Sequence, residues 1–232
     1  FRDIATRNKV PILSGGTGFY VQAALEDMRF PEGEQDDNPL RAHYEALQTQ
    51  QGNEALWNML NEKDPASAKL IHPNNFKRVI RALEMHEEGV SYADQVKNIR
   101  SLPEAIPSIR FFLEVDPFIL AERINARVDM MREEGLVEEV EALMARGFEE
   151  ALTAPKAIGY KEIIAYEKGE ITLDEAFRQI KTATRRYAKR QRSWFRRDER
   201  LIPLNADDLS VEQMTAIICE RYRQESSKSL VR

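Results

Sequence analysis

Apolar residues along this chain follow two periods, and the places where one gives way to the other outline its elements. Val10, Ile12 and Leu13 form a short apolar run with Pro11 inside it, followed at once by Gly15, Gly16, Thr17 and Gly18. The pattern predicts a strand over residues 9–14, a glycine loop, and a helix over 19–25. Residues 1–8 read as the end of a helix leading into that strand. Leu40, Tyr44 and Leu47, then Leu56, Met59 and Leu60, broken at Gly52, predict two short amphipathic helices over 39–62. Asp64-Pro65 starts another helix, and Asn74 and Asn75 precede the strongly periodic Phe76, Val79, Ile80 and Leu83. Residues 28–38 read as a linker and 89–107, polar and proline-bearing, as a loop.

Further along, 109–115 is a nearly continuous apolar run, which predicts a strand covered on both faces by helices and hence an α/β sheet. Asp116-Pro117 supplies a capping carboxylate and a proline at the first helical position, and Leu120, Ile124, Val128 and Met131 then point one face at a core. Gly135 interrupts this helix, and Leu136, Val140 and Leu143 continue the face to Gly147. Leu173, Phe177, Ile180, Thr184, Tyr187 and Trp194 give helical spacing over 173–197, with arginines and lysines crowding the other faces. Residues 226–232 read as a frayed tail.

Composition narrows the class. A chain of 232 residues can bury one good core and carry a small accessory domain. No stretch approaches the roughly 20 apolar residues of a membrane span, and no signal peptide opens the chain, so a cytoplasmic protein without a membrane partner is expected. Cys219 is alone, which excludes an internal disulfide, and His43, His72 and His86 lack zinc-ligand spacing. The chain opens on Phe1 rather than Met, as a fragment would.

The chemistry-bearing residues are individually ambiguous. Gly15 to Gly18 could bring backbone amides to an anion at a helix start, with Thr17 as donor or acceptor, or could be a plain tight turn. Arg123 and Arg127 share a helix face and could grip a diphosphate, or could be solvated surface arginines. The run Lys156, Ala157, Ile158, Gly159, Tyr160, Lys161 could follow a phosphate backbone, or could be an ordinary helix start. Lys77, Arg78 and Arg81 sit exposed beyond the His72-Pro73-Asn74-Asn75 turn. The basic helix over 173–197 invites a nucleic-acid reading on a chain whose net charge is −5, so a defined contact rather than general adhesion. Tyr187, Trp194 and Phe195 suit core packing better than base stacking.

Taken in order, Pro11 to Tyr20, Asp64-Pro65 with Ile71 to Asn74, Arg78, Arg81 to Glu84, Arg123-Ile124 with Arg127, Gly135-Leu136, Glu139-Val140, Ala157 to Glu162, Ala183 to Arg185, Ala188 to Gln191 and Trp194-Phe195 resemble tRNA dimethylallyltransferases. The family also carries a phosphate-binding loop and a nearby acidic base toward its N-terminus, and this sequence shows neither. The resemblance implies an α/β, P-loop NTPase-like parallel sheet core over 1–32 and 72–225, with a helical C-terminal part, and a helical tRNA-binding insertion over 33–71. It implies transfer of a dimethylallyl group from dimethylallyl diphosphate to the N6 amine of the adenosine beside the anticodon, by a monomer that binds the tRNA anticodon stem-loop. Thr17 would lie beside the target amine, and Arg127, with Arg123, would hold the pyrophosphate. Gly15 and Gly16 would line the substrate, and Arg41, Lys77, Arg78, Val79, Ile80, Arg81 and 156–161 would contact the tRNA. Mg2+ would be held by ligands in an N-terminal segment outside this chain. Three alternatives stay open from the residues themselves: an adenylate isopentenyltransferase, a small-molecule P-loop kinase, and a non-catalytic RNA-binding module.

Overall fold

The computed structural model describes residues 1–28, 38–99 and 102–229. In chain order the elements are α1 (Arg2–Thr6), α2 (Gly18–Leu25), α3 (Pro39–Lys63), α4 (Pro65–Ala68), α5 (Phe76–Glu87), α6 (Tyr92–Ile99), β1 (Arg110–Glu114), α7 (Pro117–Glu133), α8 (Leu136–Met144), α9 (Tyr160–Glu167), α10 (Leu173–Phe195), β2 (Leu201–Asn205) and α11 (Val211–Ser229), with 3-10 turns at Phe148–Glu150 and Ala154–Lys156. They divide into a helical unit, Phe19–Pro107, and a mixed unit made of Phe1–Gly18 and Ser108–Arg232. Among the described residues no helix is long and apolar enough to cross a membrane.

In the helical unit, the Asn38 side chain caps α3 by accepting from the Leu40 amide at 2.9 Å, and Pro39 occupies the first position. Gly52, with φ 84° and ψ 173°, breaks α3 into the two helices the pattern predicts. Leu56 and Leu60 from its second half pack with Val79, Ile80 and Leu83 of α5, each worth about 1.5–3 kcal/mol on burial. The Trp57 indole donates to the Ile71 carbonyl at 2.8 Å and ties the turn after α4 to α3. This packing carries the unit past the expected 33–71 insertion, because α5 supplies half of its core.

The loop expected over 89–107 contains α6. Tyr92 packs on the same core, and Ser67 Oγ accepts from the Ala93 amide at 2.9 Å, so a buried hydroxyl supplies a cap that local sequence does not show. Ser67 in turn donates to Asp64, and Ser91 Oγ donates to Asp64 Oδ2 at 2.8 Å. Burial alone would raise the Asp64 carboxyl, but these donors and the Ser67 amide outweigh it and hold it below the usual carboxylate range. Of the expected 28–38 linker, residues 29–37 lie outside the described residues.

The mixed unit is built on β1 and β2, which pair in parallel from Arg110↔Leu201 to Glu114↔Asn205. Parallel neighbours need a crossover, and α7 to α10 provide it. Pro203 inside β2 lacks an N–H, which confines β2 to a sheet edge and hides it from a pattern search. Arg110 is buried at the start of β1, its guanidinium donating to Asp198 at 2.9 Å and to Ser108 Oγ at 2.9 Å. Asp116 caps α7 through the Phe118 and Ile119 amides, as its place before Pro117 predicts. Val128, Leu136, Val140, Ile163, Phe177 and Ile180 form the core under α10.

Two strand expectations are corrected. Residues 9–14 form no strand: they have no pairing partner among the described residues, Pro11 removes a donor, and Ile12 is 84% exposed. The strand over 109–115 exists, but helices do not cover both its faces, since Leu113 is 57% exposed. The expected P-loop-like sheet is therefore represented by two parallel strands among the described residues. Of the tail expected over 226–232, the first part continues α11 and residues 230–232 lie outside the described residues.

Candidate functional site

The glycine turn is seated on α10. Gln191 Nε2 donates to the Gly16 carbonyl oxygen at 2.9 Å, and a Cβ on Gly16 would fall 1.9 Å from that nitrogen. A Cβ on Gly18 would fall 2.0 Å from Trp194 Cδ1. Close approach of a helix therefore accounts for glycine at both positions, whereas a side chain at Gly15 would meet nothing within 4 Å. Thr17, held between the two seated glycines, is exposed, and Gly18 is the first residue of α2.

The aromatic residues of α10 divide differently from the expectation that all three pack inside. Phe195 is half-buried with its ring 5.6 Å from that of Phe112. Tyr187 and Trp194 are 37% and 41% exposed, because the core beneath α10 ends near Ile180 and leaves the last turns to the surface.

Arg123 and Arg127 lie one turn apart on α7 but reach different partners. Arg127 Nη1 donates to Glu134 at 2.8 Å with both side chains more than half exposed, a pair worth about 0–1 kcal/mol. Arg123 Nη2 meets Asp207 at 3.2 Å, and the Asp207 carboxylate also accepts from the Asp116 amide. Arg127 is thus held weakly enough to exchange its carboxylate for another anion.

The helical unit places its predicted contacts unevenly. Lys77 and Arg78 are exposed on the first turn of α5, but Val79 and Ile80 are buried in the core and their side chains cannot reach a ligand. Arg41 grips Glu84 with Nε and Nη2 at 2.8 and 3.0 Å, and Arg81 meets the same carboxylate at 3.1 Å. Glu84 is fully buried, so losing both arginines would strand its charge in a dry setting, where a broken buried pair costs about 3–5 kcal/mol. The signal for this hub is an acid on the apolar face of α5, four residues after Ile80.

Residues 156–161 lead from the 3-10 turn at Ala154–Lys156 into the first turn of α9. Lys156 and Ala157 are exposed, Ile158 packs on the core, and Gly159 has φ 103° while its amide donates to Glu162 at 2.8 Å. The Tyr160 ring meets Phe148 edge-on at 5.4 Å and its hydroxyl donates to Glu139 at 2.6 Å, which pushes the phenol pKa up. Lys161 stands 3.3 Å from Glu162. The ordinary helix start is what the backbone shows, with Lys156 and Lys161 carried on its exposed side.

The cations of α10 fall into two groups. Arg178 pairs with Glu175, Lys181 with Asp129 at 2.6 Å, and Arg185 with Asn125 at 2.5 Å. Arg186, Lys189, Arg190 and Arg192, and Arg197 just past the helix end, have no ion-pair partner among the described residues. Arg190 lies 5.6 Å over the Tyr187 ring. Among the described residues there is no group of three or more His, Cys, Asp or Glu that could hold a metal ion. Gln191 is the site residue that pattern reading misses, since a glutamine inside a basic run has no signature until the glycine turn is brought against it.

Comparison with known proteins gives one answer throughout. The family model described as "IPP transferase" matches residues 1–198. The tRNA dimethylallyltransferase of Lachnoclostridium phytofermentans is 39% identical over 226 residues, covering 95% of this chain and 72% of that protein. That of Thermoanaerobacter sp. is 43% identical over 198 residues, covering 84% of this chain and 62% of that protein. The crystal structure of a tRNA isopentenylpyrophosphate transferase from Staphylococcus epidermidis superimposes with a TM-score of 0.63 at 35% identity, over 97% of this chain and 72% of the other. A eukaryotic dimethylallyltransferase acting on tRNA gives 0.69 at 25% identity, over 97% of this chain and 59% of the other. The turn, the helix that seats it and the paired arginines of α7 all lie within the matched residues, and the chain belongs to the IPP transferase family.

Proposed function

We infer that this protein transfers a dimethylallyl group from dimethylallyl diphosphate to the N6 amine of the tRNA adenosine beside the anticodon, releasing pyrophosphate. The observation that carries this reading is the placement of Thr17: one helix, α10, both seats the turn that exposes it and ends in cations without acidic partners. An RNA backbone lying along those cations releases counterions and brings a base toward Thr17. Tyr187 and Trp194 offer faces on which unpaired bases can stack.

In the reaction the amine nitrogen attacks the allylic carbon as the carbon–oxygen bond to the diphosphate breaks. Pyrophosphate leaves with the electron pair, and the amine gives up a proton to a base. An exocyclic amine is a weak nucleophile, so alignment and stabilisation of the leaving charge carry most of the acceleration. The Thr17 hydroxyl can hold the amine, and Arg127, exchanging Glu134 for the diphosphate, can receive the leaving charge. Lys77, Arg78, Lys156 and Lys161 supply further phosphate contacts from exposed positions. Mg2+ accompanying the diphosphate would add to the stabilisation of the leaving charge. The parallel pairing of β1 with β2 across a helical crossover supports a P-loop-like reading of the mixed unit. A tRNA substrate supports a cytoplasmic location.

The test is transfer of labelled dimethylallyl diphosphate to an unmodified anticodon stem-loop by the full-length protein. Label is expected on the anticodon-adjacent adenosine. Arg127→Ala is expected to lower turnover about 10²-fold while leaving RNA affinity within a few-fold. Unchanged turnover at saturating donor removes Arg127 from the leaving-group role, and label that never reaches RNA removes the reading.

A further inference from the structure

Thr17 is held from both sides by neighbours that belong to one helix face. Gln191 and Trp194 are three residues apart on α10, hence one turn apart on the same side. The first donates to the carbonyl of the residue before Thr17, and the second packs against the residue after it. A peptide unit is planar, so fixing the Gly16 oxygen at 2.9 Å from Gln191 Nε2 also sets the direction of the Thr17 nitrogen and Cα. Glycine at 16 and 18 then has a second consequence besides close approach. Neither glycine has a side chain of its own to pack, so these two contacts are what seat the backbone on either side of Thr17 against α10. Gly15 shows what an unseated glycine of this turn looks like, with open space where its Cβ would be.

We propose that Gln191 and Trp194 are positioning residues for Thr17, and that they couple RNA bound along the cationic end of α10 to the placement of the Thr17 hydroxyl at the target amine. The proposal rests on the prenyl-transfer reading. Arg190 and Arg192 flank Gln191 in sequence, so the residue that fixes the turn is embedded in the residues that meet phosphate. Docking the RNA on α10 therefore delivers the adenosine in the same frame in which Thr17 is held, with no separate element to align. Neither Gln191 nor Trp194 needs to touch the reacting atoms for this.

The experiment measures kcat and KM for the anticodon stem-loop in the full-length protein carrying Gln191→Leu, Gln191→Glu, Thr17→Ala, or Thr17→Ala combined with Gln191→Leu. Leucine keeps the bulk and removes the donor. Glutamate keeps the shape and sets a second acceptor against the Gly16 carbonyl, and as a polar residue it tolerates this half-exposed position should leucine fail to fold. Gln191→Leu is expected to lower kcat about 10-fold to 100-fold with the RNA KM and its salt dependence unchanged, as a misplaced catalytic group does, and Gln191→Glu to lower kcat by as much while its added charge beside Arg190 and Arg192 also raises KM. In the combined variant kcat is expected to be no lower than in Thr17→Ala alone, within about twofold, because Gln191 acts through Thr17. If Thr17→Ala lowers turnover but the Gln191 variants do not, or if the two losses multiply, the positioning role is overturned while the prenyl-transfer reading stands. If kcat holds in both Gln191 variants and only melting temperature or KM changes, the contact is structural and the proposal fails. If Thr17→Ala turns over normally, the assignment of Thr17 falls and the proposal falls with it.

Discussion

The two halves of α10 are alike in composition and opposite in circumstance. Through Arg185 every cation has a partner, and Ala176, Phe177 and Ile180 are buried beneath them. From Arg186 onward most cations have no acidic partner among the described residues, and Tyr187 and Trp194 face solvent. Periodicity continues unbroken from one half to the other, so the difference comes from what lies against the helix. Asp129 and Asn125 of α7 reach the first half, whereas the second half meets the glycine turn and, at Arg196, Glu114 of β1. A basic helix can therefore be tied to its own fold over one stretch and left without partners over the next, and side-chain partners rather than charge count mark the boundary.

The sharpest way to test this division is to disturb each half separately. Phe177→Ala is expected to cost about 3–5 kcal/mol of stability in urea unfolding, since the ring is buried against α9 and Arg132 stacks on it at 5.0 Å. RNA affinity of the folded fraction should stay unchanged, and a shift in its salt dependence would break the comparison. Replacing Arg186, Lys189 and Arg192 together by glutamine is expected to do the converse. Melting should hold, while tRNA affinity near physiological salt falls about 10²-fold and log K against log salt flattens by about 2–3. An unaltered slope would mean that the unpartnered cations are solvated surface charge.

The same contrast explains what could be read from the sequence. Elements set by local periodicity and caps are legible, as with α5, α7 and α10, the break at Gly52 and the cap at Asp116. Elements set by distant partners are not. β2 is hidden by Pro203, α6 is capped by Ser67 from another helix, and residues 9–14 have the composition of a strand without a pairing neighbour among the described residues. At the site, Thr17 and its glycines are visible as a motif, but the reason for Gly16 and Gly18 lies in Gln191 and Trp194, far along the chain. Arg41 and Arg81 attract attention as cations, yet the residue that organises them is Glu84, an acid on an apolar face. Spacing reports faces well and partners poorly.

The smallest effect bears on whether pairing in the first half is real in water. Arg178 and Gln179 both donate to Glu175 on the first turn of α10, and they hold its carboxyl down at about 2. A carboxyl depressed in the folded state stabilises above its ordinary pKa, near 4.3, and loses that contribution as pH falls toward the folded value. Carbon NMR of the Glu175 carboxyl should therefore show a midpoint near 2, and Arg178→Ala should return it toward the ordinary range without altering RNA affinity at neutral pH. Glu175 is on the surface of an end turn, where solvent screening works against any such pairing. A midpoint near 4.3 in the unmodified protein would mean that screening wins and that Arg178 is as free as Arg186. The boundary along α10 would then be drawn by burial of Phe177 and Ile180 alone, with charge pairing left to Lys181 and a neutral hydrogen bond to Asn125 left to Arg185, the two cations tied to α7.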